Sequence, residues 1–342
     1  MTDVVAAPTP APARAAATAA QGLERWLYLT QALQAKCVGG SVQAYRQRAE
    51  VMGSVNWAVN SIWTGPAWGS VSHDGSWKVL HYRLRHLFTP ALLSFIAPVP
   101  DALLLRSDRD RGRGRVAASP PPVNSSCAVG WVCLHLSNHR HSAIENASCS
   151  LHVRGYSDAA GAAPRLTVPF AASAGPVAGA DVFSIRLADL LERAGGCGGI
   201  DADGPDCFLA AQCTHTSSAG SSTLAAQPYF PAPLARASLQ PARLQLQGGA
   251  VASTTAAAGG GGANKLSVVV EANTTAPEVF LSSGAVPGVF SDNALMLLPG
   301  QRASLTFEAR AEGQIDVAAF KRGLKAYCMN NLRPSTLAED VW

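Results

Sequence analysis

The sequence predicts a mostly β protein, two β-sandwiches preceded by a short helix–strand–helix segment. Three observations carry this. Apolar residues recur at helical spacing in two stretches before Pro90. From Ala91 onward the pattern changes to short alternating runs separated by Gly, Pro, Ser and Asn clusters. A second boundary, Gln227-Pro228-Tyr229-Phe230-Pro231-Ala232-Pro233, divides those runs into two sets. At 342 residues the chain is long enough for two or three domains. Its 48% hydrophobic content supports folded cores, and a net charge of +4 is too weak and dispersed for a nucleic-acid binder. No apolar run reaches the ~20 residues needed to span a bilayer, so no membrane partner is expected.

Residues 1–20 are low in complexity and rich in Ala and Pro. They lack the apolar core of a secretory signal and are expected to form a disordered leader. From Gln21 to Glu50 a helix is expected, with Trp26, Leu29, Leu33 and Cys37, continued by Val38, Val42 and Tyr45, as its apolar stripe. Gly39-Gly40 costs roughly 1 kcal/mol per residue against Ala, which leaves a break or kink open there. Val55–Val59 alternates and is β-branched and aromatic, so it reads as a buried strand. Asn60, Ser61, Thr64, Gly65 and Pro66 make the following turn. Trp77, Leu80, Leu84 and Leu87, beside Val79 and Tyr82, then recur at helical spacing up to Pro90. This is one βα unit, with its functional loop at the strand's C-terminal end.

The same stretch, 53–90, holds four of the seven tryptophans. Trp57-Ala58-Val59-Asn60-Ser61-Ile62-Trp63, Pro66-Ala67-Trp68 and Gly75-Ser76-Trp77-Lys78-Val79-Leu80-His81-Tyr82 resemble the last barrel strand and helix of the β-mannosidases of glycoside hydrolase family 2. Tyr28–Cys37 resembles the helix before that strand. A closed (β/α)8 barrel needs about 250 residues. Residues 21–90 therefore read as the incomplete terminal segment of such a barrel, and the resemblance makes both sandwiches immunoglobulin-like. An orphaned barrel piece must dock on the first sandwich or stay mobile.

The first sandwich is expected over 91–232, interrupted near 106–128 by a disordered insertion. Five arginines between Arg106 and Arg115 are broken by Asp108 and Asp110 and followed by prolines, a solvated loop rather than an RNA-binding arm. Strands are read at Trp131–Leu136, Cys149–Arg154, Arg165–Phe170, Asp181–Arg186 and Cys207–Gln212, with a helical turn at Leu187–Arg193. The second sandwich covers 233–342, with strands at Ala242–Gln247, Lys265–Val270, Glu278–Leu281 and Ala303–Phe307 around a flexible 248–264 loop. Gly284–Asn293 resembles the Gly-x-x-Pro-Gly-x-Phe-Ser-Asp-Asn turn of the same family's C-terminal domain. Asp292-Asn293 there reads as a turn cap.

Six of the eight cysteines lie between 127 and 213 without CxxC or zinc spacing, so no metal and no cofactor is expected. Cys197 and Cys207 flank a Gly/Asp loop that a disulfide could close, and the resembling enzymes carry cysteines near here; sequence does not fix the pairing. His135, His139, His141 and His152 read as solvated or cross-strand residues. Sequons at Asn124, Asn146 and Asn273, with the clustered cysteines, favour an oxidising compartment and a glycoprotein. The resemblance implies a lysosomal, vacuolar or secreted location.

The resemblance also implies the chemistry: a retaining hydrolase removing terminal non-reducing β-D-mannose from β-mannoside oligosaccharides or N-glycan fragments. Such enzymes need two carboxyl groups about 5–5.5 Å apart. The family's Ser-Glu-[Phe/Tyr]-Gly nucleophile motif and its acid/base motif are absent. Before residue 95 the acidic residues are Asp3, Glu24, Glu50 and Asp74. No catalytic residue is assigned, and the chain alone is expected to be inactive. What the resemblance retains is one wall of a sugar site: Trp57, with Asn60 as a hydrogen-bond donor and Trp63 at the rim. Trp68, Trp77, His81 and Tyr82 read as core or loop anchors. The family's Gln is Ala58 here and its Asp is Ser61. The alternative is a non-catalytic carbohydrate-binding or interaction module of β-sandwiches. A third reading places both glutamates in upstream coding sequence.

Overall fold

The computed structural model describes residues 11–96, 127–128, 130–198, 205–217, 220–232, 234, 237–250, 265–310 and 315–336. Helix α1 (Ala11–Arg46) begins inside the stretch expected to be a disordered leader. Its alanine-rich start has the strongest intrinsic helix preference; residues 1–10 lie outside the described residues. No break occurs at Gly39-Gly40. Helix α2 (Val79–Leu87) crosses there, and a Cβ on Gly39 would stand 2.8 Å from Arg83 Cγ and 3.3 Å from Leu87 Cδ1. Gly39 is thus the price of close helix contact, whereas a Cβ on Gly40 would meet nothing within 4 Å.

The face that α1 buries shares Val42 with the expected stripe but is otherwise different. Tyr28, Ala32, Ala35, Gly39 and Val42 are buried, while Trp26, Leu33 and Cys37 are exposed. Small residues let α2 approach closely, so contact distance rather than side-chain size selects the packed face. The expected buried strand at Val55–Val59 is also corrected. The segment is irregular, with bends at Trp57 and Val59; the isolated bridge Asn60–Val71 follows it, and Val55 is 97% exposed. A strand is held by ladders on its flanks, and among the described residues this one has a partner on one side only.

The first sandwich packs two antiparallel sheets. One has the order β1 (Ala91–Ile96), β2 (Trp131–Asn138), β5 (Ala178–Arg186). The other runs β4 (Leu166–Ala174), β3 (Ile144–Gly155), β6 (Cys207–Ser217), β7 (Gly220–Ala225), and α3 (Leu187–Ala194) connects β5 towards β6. Leu134, Leu136, Leu151, Val153 and Leu209 are fully buried between them. Disulfides join Cys127 to Cys133, Cys149 to Cys213 across neighbouring positions of β3 and β6, and Cys197 to Cys207. The insertion near 106–128 lies outside the described residues up to 126.

The second sandwich pairs β11 (Gly288–Phe290), β13 (Arg302–Ala309), β9 (Lys265–Ala272) and β8 (Leu244–Ala250) in one sheet. The other sheet holds β12 (Leu295–Leu297), β10 (Ala276–Ser282), β14 (Lys325–Cys328) and β15 (Asn331–Thr336). Helix α4 (Val317–Gly323) is capped by Asp316, whose carboxylate accepts from Ala319 N at 2.9 Å, and it adds Phe320 to the core beside Phe290 and Phe307. Asn293 does more than cap its turn. Its amide accepts from Leu281 N at 2.8 Å and donates to Leu281 O at 2.9 Å, tying the 284–293 loop to β10.

The helical segment docks on both sandwiches, not on the first alone. Towards the first, Gln47 Nε2 donates to Ser94 Oγ (2.9 Å) and Phe95 O (3.0 Å), and Ser137 Oγ donates to Arg46 O (2.8 Å). Towards the second, Tyr28 Oη donates to Glu278 O (2.6 Å) and Arg83 pairs with the Glu278 carboxylate. Lys325 pairs with Glu24 at 2.6 Å, and the Tyr82 hydroxyl accepts from Phe290 N at 3.0 Å.

The two glycines of α1 should separate cleanly in chemical denaturation. Gly39→Val forces a branched side chain against α2 and should cost about 1–3 kcal/mol. Gly40→Ala gains helix propensity without a clash and should add about 0.5–1 kcal/mol. Equal effects would contradict the close helix crossing.

Candidate functional site

The segment after α1 is shaped by a short splint, residues 69–71. Val71 N donates to Val59 O at 2.7 Å, Ser70 N to Ala58 O at 3.4 Å, and Ser61 N returns a bond to Val71 O at 3.0 Å. A Cβ on Gly69 would lie 3.1 Å from Asn60 C and 3.2 Å from Ser61 N, so this close approach of two chains favours glycine. The Trp57–Ala58 peptide is cis. The splint is fastened to the helices. Lys78 N donates to Ser70 O (3.0 Å), Lys78 Nζ to Ala67 O (2.9 Å), and Gln34 Nε2 to Trp68 O (2.6 Å). Ser70 is fully buried, with its hydroxyl 3.1 Å from Val59 O and 2.9 Å from His81 Nδ1.

On this frame Trp57 is 83% and Trp63 67% exposed, and Asn60 is exposed as well. Neither tryptophan is packed into the core. Trp68, expected as an anchor, is 68% exposed; only its carbonyl is held. Met52, Val55, Val59 and Ile62 are exposed beside them in sequence. Trp77 and Tyr82, by contrast, are packed: Trp77 lies 4.4 Å from His81 and 5.2 Å from Tyr82, ring centre to ring centre.

The acidic residues near this segment in sequence are engaged elsewhere. Glu24 bonds Lys325 and Tyr327, Glu50 faces Arg48 at 3.6 Å, and Asp74 accepts from Ser76 N at 2.9 Å. His135 is buried against Asp181 at 2.7 Å, and His152 bonds Ser150 and Thr167. Asn146 and Asn273 are exposed; Asn124 lies outside the described residues. Ser70 and His81 as a bonded pair escape sequence reading. A serine in a Gly/Ser-rich turn carries no periodic signal, and its partner is 11 residues away on the next helix.

Partial burial holds the imidazoles of His81, His86 and His152 below their ordinary value, with nearby Arg310, Arg83 and Arg154 respectively adding to it. The native chain therefore binds fewer protons than the unfolded chain just below the ordinary imidazole value of about 6.5. Stability is complete above that value and is lost as pH falls towards the lowered native ones. Denaturant midpoints should be lower at pH 5.5 than at pH 7.5. A higher midpoint at 5.5 would contradict the partly desolvated, neutral state of these histidines.

Residues 250–332 match Ig_mannosidase, an Ig-fold domain family. Over 74 residues the chain is 45% identical to the β-mannosidase of Bos taurus, covering 19% of this chain and 8% of that protein. Over 98 residues it is 34% identical to β-mannosidase A of Aspergillus fumigatus, covering 28% of this chain and 10% of that one. The matched stretches thus span no more than a tenth of these relatives. In structure, β-D-mannosidase from Dictyoglomus thermophilum superposes on 89% of this chain and 30% of its own, with a TM-score of 0.56 at 13% identity. The exo-chitosanase of Amycolatopsis orientalis covers 90% of this chain and 34% of its own, with a TM-score of 0.50 at 14% identity. At such identity these two show a shared fold. In sequence and in fold, this mostly β chain is similar to the C-terminal region of the β-mannosidases of glycoside hydrolase family 2.

Proposed function

We propose that the chain is the C-terminal part of a retaining β-mannosidase-like glycosidase and supplies one wall of its sugar site, with no hydrolysis by this chain alone. The observation that carries the reading is the outward-facing Trp57, held on a splinted segment that resembles the end of a barrel strand. A tryptophan face stacks on the C–H bonds of a pyranose and excludes water between them. Asn60 is placed to bond a hydroxyl, and Trp63 to border the pocket. Terminal β-D-mannose of oligosaccharides or N-glycan fragments is the substrate class, and a lysosomal or secreted location with glycans on Asn146 and Asn273 belongs to the same reading.

Retaining cleavage needs a nucleophile and an acid/base about 5–5.5 Å apart. Glu24 is bonded to Lys325, Asp74 accepts from Ser76 N, and Glu50 is exposed 3.6 Å from Arg48, which supports inactivity of this chain alone. Those same commitments also favour the second reading, a binding module that holds sugar without cleaving it.

Tryptophan emission titrated with β-1,4-mannotriose tests the sugar wall. A one-walled site should bind weakly, with a dissociation constant on the order of 1 mM. Trp57→Leu should abolish the change and Trp68→Leu should leave it. No change in the wild type, or one indifferent to Trp57→Leu, would contradict the proposal.

A further inference from the structure

The sugar wall has a support that no family likeness assigns, and it follows from counting hydrogens. Ser70 has one hydroxyl hydrogen and two near partners, Val59 O at 3.1 Å and His81 Nδ1 at 2.9 Å. The carbonyl, which also accepts from Val71 N at 2.7 Å, can only accept, so both contacts are hydrogen bonds at once only when the Ser70 hydrogen goes to Val59. The hydroxyl oxygen is then the acceptor towards His81, and Nδ1 must carry a hydrogen. With both bonds made, the relay runs from imidazole to hydroxyl to carbonyl.

The far end of that relay is the Val59–Asn60 peptide, two residues from Trp57. The near end is rigid. His81 lies in the first turn of α2, its ring against Trp77 with centroids 4.4 Å apart, and its N–H donates to Lys78 O at 2.9 Å. Lys78 N in turn holds Ser70 O at 3.0 Å, so α2 grips Ser70 by main chain and side chain together. On its other side the Trp57–Asn60 segment has no ladder among the described residues. We infer that Ser70 and His81 are positioning residues for the sugar wall, fixing Trp57 and Asn60 through the Val59 carbonyl; this rests on the proposed function of Trp57. A segment without strand neighbours would otherwise pay the ordering cost on binding. The relay removes that cost beforehand, which is how a supporting shell preorganises a contact residue.

Residue-resolved amide exchange of Ser61 and Val71, whose N–H groups form the splint bonds, tests the inference on the full chain. Ser70→Ala and His81→Leu should speed both by about tenfold, the effect of losing one buried bond. His81→Asn, whose amide nitrogen can donate in place of Nδ1, should stay within about twofold of wild type. Amides of β9 should not change in any variant. The inference is overturned if Ser70→Ala leaves Ser61 and Val71 unchanged, if His81→Asn matches His81→Leu, or if β9 accelerates by the same factor. Mannotriose titration of the same samples separates the two layers. Loss of the tryptophan response in Ser70→Ala and His81→Leu, with rescue in His81→Asn, supports both. No response in the wild type sinks the sugar reading and leaves the relay to be judged by exchange.

Discussion

Burial of α2 on three sides is the interaction on which the rest of the structure depends. Nine residues are too few for a helix to hold itself in water, where about 12–15 is already marginal. Its neighbours hold it instead. Leu84 and Leu87 close on α1 and β1 in one cluster with Ala35, Val42 and Leu92. Tyr82 enters the core of the second sandwich, where its hydroxyl accepts from Phe290 N and burial raises the phenol above its ordinary pKa. His81 turns the other way, to Ser70. Consecutive residues of one short helix thus join two sandwiches and the aromatic segment, and Arg46 of α1 completes the junction by donating to Leu87 O and Thr89 O.

Around that junction the chain divides into satisfied and unsatisfied apolar surface. The sandwich cores are closed. The outer stripe of α1, with Leu23, Trp26, Leu27 and Leu33, is exposed, and so is the run from Met52 to Trp68. Both sit on the segment that resembles the end of a barrel. The two faces of α1 differ: Tyr28, Ala32, Ala35, Gly39 and Val42 pack inward, while Leu23, Trp26, Leu27 and Leu33 face out. Exposed tryptophans on a splinted backbone are suited to stacking on a sugar ring, and the same exposure explains why no core is built there.

Much of the fold was legible because alternation reports one-sided burial. Cys149–Arg154 and Lys265–Val270 have a core face and an outer face, and both lie within strands. Two-sided burial removes the alternation: β2 is buried from Val132 to Asn138 and is read from its β-rich composition, whereas β1 is not read at all. Every residue of β1 is buried, one face against the first core and the other beneath α1, so Ala91–Ile96 shows no period to read. The three-residue strands β11 and β12 are too short for a pattern. Val55–Val59 fails in the opposite direction: its composition fits a strand, but strand character needs neighbours that composition cannot supply. At the site, Trp57, Asn60 and Trp63 could be named from aromatic spacing and resemblance. Ser70 could not, since its role lies in a bond to a helix that only the folded chain brings near.

The central claim is that this chain presents a sugar wall and lacks the carboxylate pair that would cut. Hydrolysis of a chromogenic β-mannoside by the purified 342-residue chain, beside its Trp57→Ala variant, tests it most directly. The account predicts no turnover by either protein. Turnover by the wild-type chain that is lost in Trp57→Ala would mean that carboxylates assigned here to ion pairs and turns are catalytic, and would contradict it.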